Sequence, residues 1–247
     1  MHIRIITPIV TRDFRSPEDL AELVRPGIDI SHTFVDMGPA SIESAFDEAL
    51  AAPGVIAKVI EAEREGAAAV VIDCLGDIGM HVGRELTRIP VVGAGESSMH
   101  VAAMLGHRFS ILTTLQRVFY LNENQAKIYG VFDKLASLRA VDLSVLELEK
   151  DAAALTERMV EQGVKAVEED GAHALLFGCT GMYRVARGVA AGMQQRGYDV
   201  PVVEPLATAF QFAQMLVTLN LQFSKITYPY PPPKVVEGYT FLRSGLT

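Results

Sequence analysis

One stretch of sequence occurs twice in this chain: residues 66–76 read Gly-Ala-Ala-Ala-Val-Val-Ile-Asp-Cys-Leu-Gly, and residues 171–181 read Gly-Ala-His-Ala-Leu-Leu-Phe-Gly-Cys-Thr-Gly. The two copies align without a gap and place Cys179 at the position of Cys74. Each copy holds a short apolar run that begins after a glycine, which is typical of a buried strand in a parallel sheet. The repeat therefore predicts two halves of similar architecture.

The sequence on either side of both copies extends the repeat. A Pro-Val-Val segment follows each copy, at residues 90–92 and 201–203, and the opening residues 4–7 resemble residues 108–114. Apolar runs bounded by glycine or proline predict six buried strands, at residues 3–7, 69–73, 91–93, 109–113, 174–177 and 200–203. Helical patterns lie between them, most clearly over residues 149–170. We predict an α/β fold of two pseudo-twofold-related lobes, each a mainly parallel sheet flanked by helices, with the active site in the cleft between them.

The order of these elements predicts that one lobe is inserted into the other. Residues 99–105 would bridge the two halves, and the segment after Pro205 predicts one more helix. We therefore expect lobe 1 to comprise residues 1–98 and 206–247, including a C-terminal tail, and lobe 2 to comprise residues 99–205.

The C-terminal tail, which begins near Ser224, carries large apolar side chains among its prolines, namely Tyr228, Tyr230, Phe241 and Leu242. Contiguous apolar groups of this kind usually mark a contact surface. We therefore expect the tail to dock on its own lobe or on a neighbouring subunit, and we expect a homo-oligomer.

Composition and charge argue against several classes of protein. The chain has 247 residues, 49% of them hydrophobic, and a formal net charge of -8, which is the wrong sign for binding a nucleic-acid backbone. The opening reaches Pro8 before any apolar run long enough for a signal peptide, and no stretch approaches the ~18 uninterrupted apolar residues of a membrane span. We expect a cytoplasmic protein that binds a small-molecule substrate and neither nucleic acid nor a membrane.

The sequence offers no pattern for a metal or a nucleotide cofactor. Its two cysteines are too few for a disulfide scaffold or an all-cysteine zinc site, and its six histidines are scattered. It contains neither a Gly-x-Gly-x-x-Gly sequence nor a P-loop. We therefore expect activity without a metal or a cofactor.

The two cysteines are the candidate catalytic residues. Both follow a predicted strand and precede a glycine and a predicted helix, the position at which open α/β sheets bind ligands. A free cysteine is often only a small buried hydrophobic residue, but the repeat places Cys74 and Cys179 at equivalent strand ends. A pseudo-twofold axis would bring their thiols face to face across a cleft. One thiolate could then remove a proton α to a carbonyl while the other thiol returns a proton on the opposite face, which is the chemistry of a racemase.

This chemistry needs a deprotonated thiol and hydrogen-bond donors for the enolate oxygen. Backbone N–H groups and the positive end of the following helix predict thiol pKa values below the free value of ~8.5. The candidate donors are the amides around Gly76 and Gly181 and four hydroxyls at predicted strand ends, those of Thr7, Thr113, Thr114 and Thr180. Such threonines also commonly cap helices. Asp73 lies within an apolar strand, where a carboxylate needs a hydrogen-bonding partner, and we expect one near the site.

Five segments carry a family resemblance. They are residues 38–43, Gly-Pro-Ala-Ser-Ile-Glu, with Asp-Glu-Ala at 47–49; 74–79, Cys-Leu-Gly-Asp-Ile-Gly; 90–96, Pro-Val-Val-Gly-Ala-Gly-Glu; 109–115, Phe-Ser-Ile-Leu-Thr-Thr-Leu; and 178–182, Gly-Cys-Thr-Gly-Met. Over most of its length the sequence resembles the aspartate/glutamate racemase superfamily, and the segment at 38–43 narrows the resemblance to the hydantoin and allantoin racemase branch. In such racemases two cysteines form the acid/base pair. The resemblance implies that role for Cys74 and Cys179.

The loop after the first strand departs from the pattern of that family. Such enzymes usually have Asn-Pro-Asn followed by Thr or Ser, where this chain has Thr7-Pro8-Ile9. The difference removes amide side chains and adds an apolar group. Together with the negative net charge and the absence of Lys and Arg from the cysteine motifs, this difference favours a neutral ring over a dicarboxylate as the substrate. The predicted substrate-binding residues are Thr7, Pro8, Ile9, Leu75, Gly76, Thr113, Thr114, Thr180 and Gly181.

We therefore predict a cofactor-independent racemase of 5-substituted hydantoins or a related cyclic ureide such as allantoin. Two alternatives on the same scaffold are a racemase of an acidic amino acid and a maleate-isomerase-like enzyme, in which one cysteine attacks as a nucleophile. An arylmalonate decarboxylase is disfavoured, because enzymes of that kind keep only the second cysteine. The alternative outside the enzymes is a non-catalytic ligand-binding relative.

Overall fold

The computed structural model describes residues 1–239. This range contains the strands β1 (His2–Thr7), β2 (Asp29–Phe34), β3 (Ala69–Ile72), β4 (Val91–Gly93), β5 (Phe109–Thr113), β6 (Leu135–Ala140), β7 (Ala174–Phe177) and β8 (Val202–Val203). It also contains the helices α1 (Pro17–Ala21), α2 (Ala45–Arg64), α3 (Met80–Leu86), α4 (Ala94–Leu105), α5 (Phe119–Ile128), α6 (Ala152–Glu168), α7 (Ala186–Gln195) and α8 (Pro205–Thr218). None of these described helices combines the length and the apolar character needed to cross a membrane.

The strands form two four-stranded sheets with the same topology. The first sheet has the order β2-β1-β3-β4 and the second has the order β6-β5-β7-β8. All neighbouring strands are parallel, and helices pack against both sheets. The two copies of the repeated segment supply β3 and β7, which occupy equivalent places. The predicted α/β fold with two similar lobes is confirmed.

Most of the predicted strands lie at or near their predicted bounds, but two strands were missed. β4, β5 and β7 match residue for residue, whereas β3 ends before Asp73 and β8 comprises only Val202–Val203. The missed strands, β2 and β6, each lie at one edge of a sheet. Their sequences, Asp-Ile-Ser-His-Thr-Phe and Leu-Ala-Ser-Leu-Arg-Ala, alternate less clearly because most of their side chains are only partly buried. Each sheet therefore has four strands where the sequence predicts three.

Helix α6, predicted over residues 149–170, illustrates how the helices attach to the sheets. Asp151 caps its first turn by accepting a hydrogen bond from the Ala154 N–H at 2.9 Å. On its buried face, Leu155, Met159, Val160 and Ala166 pack in one cluster with Leu175 and Phe177 of β7. Full burial of each large apolar side chain is worth about 1.5–3 kcal/mol. These contacts make α6 a fixed cover of the second sheet.

Helices α4 and α8 connect the two sheets. α4 follows β4 directly and packs against both β7 and α8. α8, the helix predicted after Pro205, starts where the Glu204 carboxylate accepts hydrogen bonds from the N–H groups of Leu206 and Ala207, and it packs on β3 and β4. The chain thus returns to its first sheet. The division into lobes at residues 98/99 and 205/206 stays a prediction.

The start of the tail, up to Tyr228, docks on α3 of the same chain. The Arg84 guanidinium carbon lies 3.6 Å from the centre of the Phe223 ring, and Arg84 Nη1 donates to the Tyr228 hydroxyl oxygen at 3.3 Å. Lys225 Nζ donates to the Arg84 carbonyl at 2.6 Å and to the Glu85 carbonyl at 3.1 Å. Two tail residues named above, Phe241 and Leu242, lie outside the described residues. The homo-oligomer stays a prediction.

Candidate active site

The two cysteines border one cavity. Cys74 lies two residues after β3, and Cys179 lies two residues after β7, at the carboxyl ends of parallel strands. The cavity contains about 610 Å³ of empty space, including the part open to solvent, and both halves of the chain contribute to its walls. The carboxyl ends of strands are where parallel α/β sheets bind ligands.

Nine of the eleven predicted site residues border this cavity: Thr7, Pro8, Ile9, Cys74, Leu75, Gly76, Thr114, Cys179 and Thr180. The other two, Thr113 and Gly181, do not. Thr113 is fully buried at the end of β5, and the N–H of Gly181 donates to Cys179 Sγ at 3.4 Å. The binding and catalytic roles of these residues stay predictions.

The glycines of the two Cys-x-Gly motifs allow close packing of the cysteine loops. A Cβ on Gly76 would lie 2.8 Å from Glu48 Oε1, and a Cβ on Gly181 would lie 2.9 Å from the Phe14 ring. Both distances are shorter than ordinary van der Waals contacts. Any larger residue would therefore require the side chain of Glu48 or Phe14, both of which line the cavity, to move.

Burial controls the acidity of both thiols. It raises the pKa of Cys179 to about 11 and the pKa of Cys74 well above its ordinary value. The N–H groups of Gly181 and Gly76 lower these pKa values, but by less than burial raises them. A negative charge on Cys179 raises the pKa of Cys74 further. The expectation of lowered thiol pKa values is wrong.

The positions of the following helices explain why the thiols are not acidic. α3 begins at Met80 and has Gly79 at its N-terminus, so its positive end does not lie at Cys74. Cys179 directly precedes only a short 3₁₀ helix, Thr180–Val185. The effect of a helix dipole extends over about one turn and grows with the alignment of peptide units. Desolvation of the thiolate therefore dominates.

A buried ion pair between Asp73 and Arg15 lies beside the cavity. Arg15 Nη2 donates to Asp73 Oδ1 at 3.0 Å and Arg15 Nε donates to Oδ2 at 3.1 Å, and the two side chains are 2% and 0% exposed. Burial alone would raise the pKa of Asp73, but the charge and hydrogen bonds of Arg15 outweigh it and hold that pKa below its ordinary value. Asp73 thus has the partner that its sequence position predicts.

Two of the candidate threonine hydroxyls donate hydrogen bonds to Asp73. Thr7 Oγ1 donates to Asp73 Oδ2 at 2.8 Å, and Thr180 Oγ1 donates to the Asp73 carbonyl at 3.2 Å. Neither is free to donate to an enolate oxygen. The Thr113 hydroxyl has no hydrogen-bond partner among residues 1–239, but it does not border the cavity. Thr114 remains as the hydroxyl that can serve as a donor there.

Each cysteine loop is held by a side chain from the opposite half of the chain. Gln125, on α5, donates from Nε2 to the carbonyl of Leu75 at 2.6 Å. Arg15, which follows β1, donates from Nη2 to the carbonyl of Thr180 at 3.0 Å. In both cases the acceptor is the residue directly after the cysteine. The two loops are thus supported in a crossed arrangement.

Asp77 anchors the first of these loops to α4. It has a φ of 49°, and its carboxylate accepts hydrogen bonds from the N–H groups of Gly95 at 2.7 Å and Glu96 at 2.6 Å and from the Tyr129 hydroxyl at 2.7 Å. A Cβ on Gly95 would lie 2.2 Å from the carbonyl oxygen of Leu75, so only glycine fits there. Burial raises the pKa of Asp77 to about 7.

Sequence reasoning missed several residues of the cavity wall: Phe14, Ile42, Glu43, Ser44, Glu48, Val118, Leu121, Asn122 and Val145. They come from loops and helices that carry no chemical motif. Glu43 and Glu48 lie in two of the segments that carry the family resemblance, and an acidic side chain in such a segment is a sequence signal for a site residue. The lining residues, all within the described chain, include the carboxylates of Glu43, Glu48 and Asp73 and neither lysine nor arginine.

Comparisons with known proteins show which family the chain is similar to. A family model described as Asp/Glu/Hydantoin racemase matches residues 19–213. A hydantoin racemase from Pseudomonas sp. (strain NS671) is 38% identical over 241 residues, which cover 96% of this chain and 95% of that protein. A hydantoin racemase from Rhizobium meliloti is 34% identical over 246 residues, 97% of this chain and 98% of that protein. The solved structure of an allantoin racemase from Klebsiella pneumoniae superposes with a TM-score of 0.89 at 33% identity and covers 96% of both chains.

Proposed function

The chain belongs to the Asp/Glu/hydantoin racemase family, and from this premise we propose that it racemises 5-substituted hydantoins or a related cyclic ureide such as allantoin, with Cys74 and Cys179 as the acid/base pair and without a cofactor. That the protein is a racemase follows from its near full-length relatives. The observation that carries the two-cysteine mechanism is the shared cavity: cysteines at equivalent positions of an internal repeat border one site, from opposite halves.

The proposed reaction moves one proton off and one proton onto the ring carbon C5. The reaction starts when one of the two thiols has lost its proton to solvent. That thiolate takes the C5 proton, an S–H bond forms, and the electron pair of the broken C–H bond passes to the adjacent carbonyl oxygen as an enolate. The thiol of the other cysteine then gives its proton to the opposite face of C5 and becomes the thiolate. The Thr114 hydroxyl, which borders the cavity, can donate to the enolate oxygen. The roles exchange for the other enantiomer.

The charge of the cavity favours a neutral ring over a dicarboxylate. Its lining residues within 1–239 present three carboxylates and no Lys or Arg, and of those carboxylates Asp73 is the one that a cation of this described range, Arg15, balances. A dicarboxylate would bring further negative charge into this site without a basic partner. This disfavours the acidic amino-acid racemase and the maleate-isomerase-like alternative. The apolar part of the wall, which includes Ile9, Phe14, Val118, Leu121 and Val145, suits an apolar 5-substituent.

Isotope exchange tests the proposed activity. In deuterated water the protein is expected to convert either enantiomer of a hydantoin with an aliphatic or aromatic 5-substituent into the racemate while replacing the C5 proton by deuterium, faster than buffer alone. The value of kcat/KM should be larger for these hydantoins than for Asp, Glu or hydantoins with charged substituents, because the described lining of the cavity supplies no Lys or Arg. Proton NMR and optical rotation follow the two processes, and protein lacking both cysteines is the control. A preference for Asp or Glu would contradict the substrate assignment, and no exchange on any of these compounds would contradict the activity.

Both thiols are expected to react with iodoacetamide mainly at alkaline pH. The chain contains two cysteines, so the Cys74→Ser and Cys179→Ser proteins each report on the one that remains. Thiolate is the reactive form, and burial raises the pKa of both thiols. The alkylation rate should therefore still rise, roughly tenfold per pH unit, above the ~8.5 at which a free thiol begins to level off. Mass spectrometry measures the rate over a series of buffers, and a plateau below the range of a free thiol would contradict this prediction.

A further inference from the structure

The cavity contains hydrogen-bond acceptors that residues 1–239 do not satisfy. Two of its three carboxylates are satisfied: Asp73 by Arg15 and Thr7, and Glu43 by the N–H of Val145 at 2.8 Å. The third carboxylate, that of Glu48, and the side-chain oxygen of Asn122 are not.

Glu48 lies beside the loop of the first cysteine. Its carboxylate forms no hydrogen bond or ion pair with the residues of the described chain, 1–239, although it is partly buried in the cavity wall. A Cβ on Gly76 would lie 2.8 Å from Glu48 Oε1, and the Glu48 charge raises the pKa of Cys74. Burial, with the adjacent Asp47 charge, raises the pKa of Glu48 itself. A carboxylate placed in this way gains a hydrogen bond when a ligand brings a donor.

Asn122 borders the same cavity from α5 and is 5% exposed. Gln125 Nε2 donates to the Leu75 carbonyl at 2.6 Å, which leaves Gln125 Oε1 to accept from Asn122 Nδ2 at 3.4 Å. This orientation leaves Asn122 Oδ1 without a hydrogen-bond partner among the described residues. A buried acceptor without a partner leaves the cost of removing it from water uncompensated, so it marks a place where a donor is expected.

We propose that Glu48 and Asn122 are specificity-determining residues, which accept hydrogen bonds from the two ring N–H groups of a cyclic ureide. A hydantoin ring carries two such donors, N1–H and N3–H, one for each of these two side chains. A dicarboxylate carries no N–H donor, and the ammonium group of an acidic amino acid comes with two carboxylates that Glu48 repels. The proposal rests on the proposed function for its substrate class, and it names the residues that would recognise that class.

Binding of a ligand that cannot react separates this proposal from the racemase activity. 5,5-Dimethylhydantoin has both ring N–H groups but no C5 proton, whereas its 1-methyl and 3-methyl derivatives each lack one N–H. Isothermal titration calorimetry on the full chain should show that 5,5-dimethylhydantoin binds the unmodified protein on the order of tenfold or more tightly than either N-methyl derivative, as expected for loss of a hydrogen bond to a charged or buried acceptor.

Each acceptor should be coupled to one N–H group. The penalty is the loss of affinity of an N-methyl derivative relative to 5,5-dimethylhydantoin. In the Glu48→Ala protein the penalty for one of the two derivatives should disappear, and in the Asn122→Ala protein the penalty for the other should disappear. In each case the acceptor for that N–H group is gone and space is left for the methyl group. Glu48→Gln, which keeps the size of the side chain and a weaker acceptor, should give an intermediate penalty. The matched controls are Glu161→Ala and Asn124→Ala, at exposed positions on α6 and on α5 itself, and they should keep both penalties.

The outcomes are distinct for the two proposals. If both N-methyl penalties persist in Glu48→Ala and Asn122→Ala, or if 5,5-dimethylhydantoin does not bind the unmodified protein, the assignment of these acceptors is wrong. If the ligand binds with the expected couplings but no hydantoin is racemised, the recognition proposal stands and the proposed function fails.

Discussion

Replacing either cysteine by serine is expected to lower the rate of racemisation by roughly 10²–10⁴-fold, because each thiol supplies one of the two proton transfers and a serine hydroxyl is far too weak an acid to replace it. Cys74→Ser and Cys179→Ser should fold normally, since the substitution exchanges one atom at a partly buried position. The loss should appear in kcat for both enantiomers, measured by optical rotation. Near-normal racemisation by either protein would contradict the two-base mechanism.

The two single variants should differ in isotope exchange. The thiol that remains can still take a proton from the enantiomer whose C5–H bond faces it and return deuterium to the same face, so exchange proceeds without inversion. Cys74→Ser should exchange one enantiomer and Cys179→Ser the other, as seen by loss of the C5–H signal in proton NMR. The double variant is the control and should exchange neither. Exchange of the same enantiomer by both single variants would show that the thiols do not face opposite sides of the ring.

Replacing Arg15 by methionine is expected to destabilise the fold by about 3–5 kcal/mol, because it leaves the buried Asp73 carboxylate without its charged partner. Urea unfolding followed by circular dichroism measures this loss. The matched control is Arg187→Met, which breaks an exposed pair with Glu22 and should cost at most about 1 kcal/mol. A loss of that small size in Arg15→Met would show that the buried pair contributes little.

The Arg15→Met loss should depend on pH. In the unmodified protein the folded pKa of Asp73 lies below its ordinary value, so the stability from this group is present above the unfolded pKa and is lost as the pH falls through the folded pKa. Without Arg15 the sign reverses: burial raises the folded pKa, so the protein is favoured at low pH and penalised as the pH rises. The destabilisation should be larger at about pH 8 than at about pH 5. Adding Asp73→Asn should remove this pH dependence and restore most of the stability.

The sequence predicts the architecture well where burial is complete. Runs such as Ala174–Phe177 are apolar at each position because both faces of the strand are covered, and the repeat then assigns the second half by analogy. The edge strands β2 and β6 cannot be predicted in this way, because neither is a continuous apolar run. Asp29 and His32 in β2 and Arg139 in β6 are tolerated because an edge strand is only partly covered. Their pairing with β1 and β5 is a tertiary contact that no local pattern records.

The candidate site is predictable in part for a similar reason. Cys74 and Cys179 lie in the repeat itself, and the strand ends around them follow from the fold. The sequence does not predict the contributions of Arg15, Gln125 and Asn122, because each reaches the site from a segment distant in sequence. The thiol pKa values were predicted in the wrong direction because sequence proximity to a helix says nothing about its orientation or about the loss of solvent around the sulfur atom. Both depend on the assembled cavity.

The crossed supports from Gln125 and Arg15 bear on a constraint that applies to every racemase. Two enantiomers have the same free energy in water, so their equilibrium constant is one, and kcat/KM must be equal in the two directions whatever substitution is made. Gln125 holds the loop of one cysteine and Arg15 holds the loop of the other, so a change at one support disturbs one proton transfer more than the other. Because kcat/KM must stay equal for the two enantiomers, that imbalance can appear only as a change of kcat and KM by the same factor for one enantiomer relative to the other. Evolution or engineering at either support can therefore alter the concentration at which one enantiomer saturates the enzyme, but it cannot produce a catalyst that runs in a single direction.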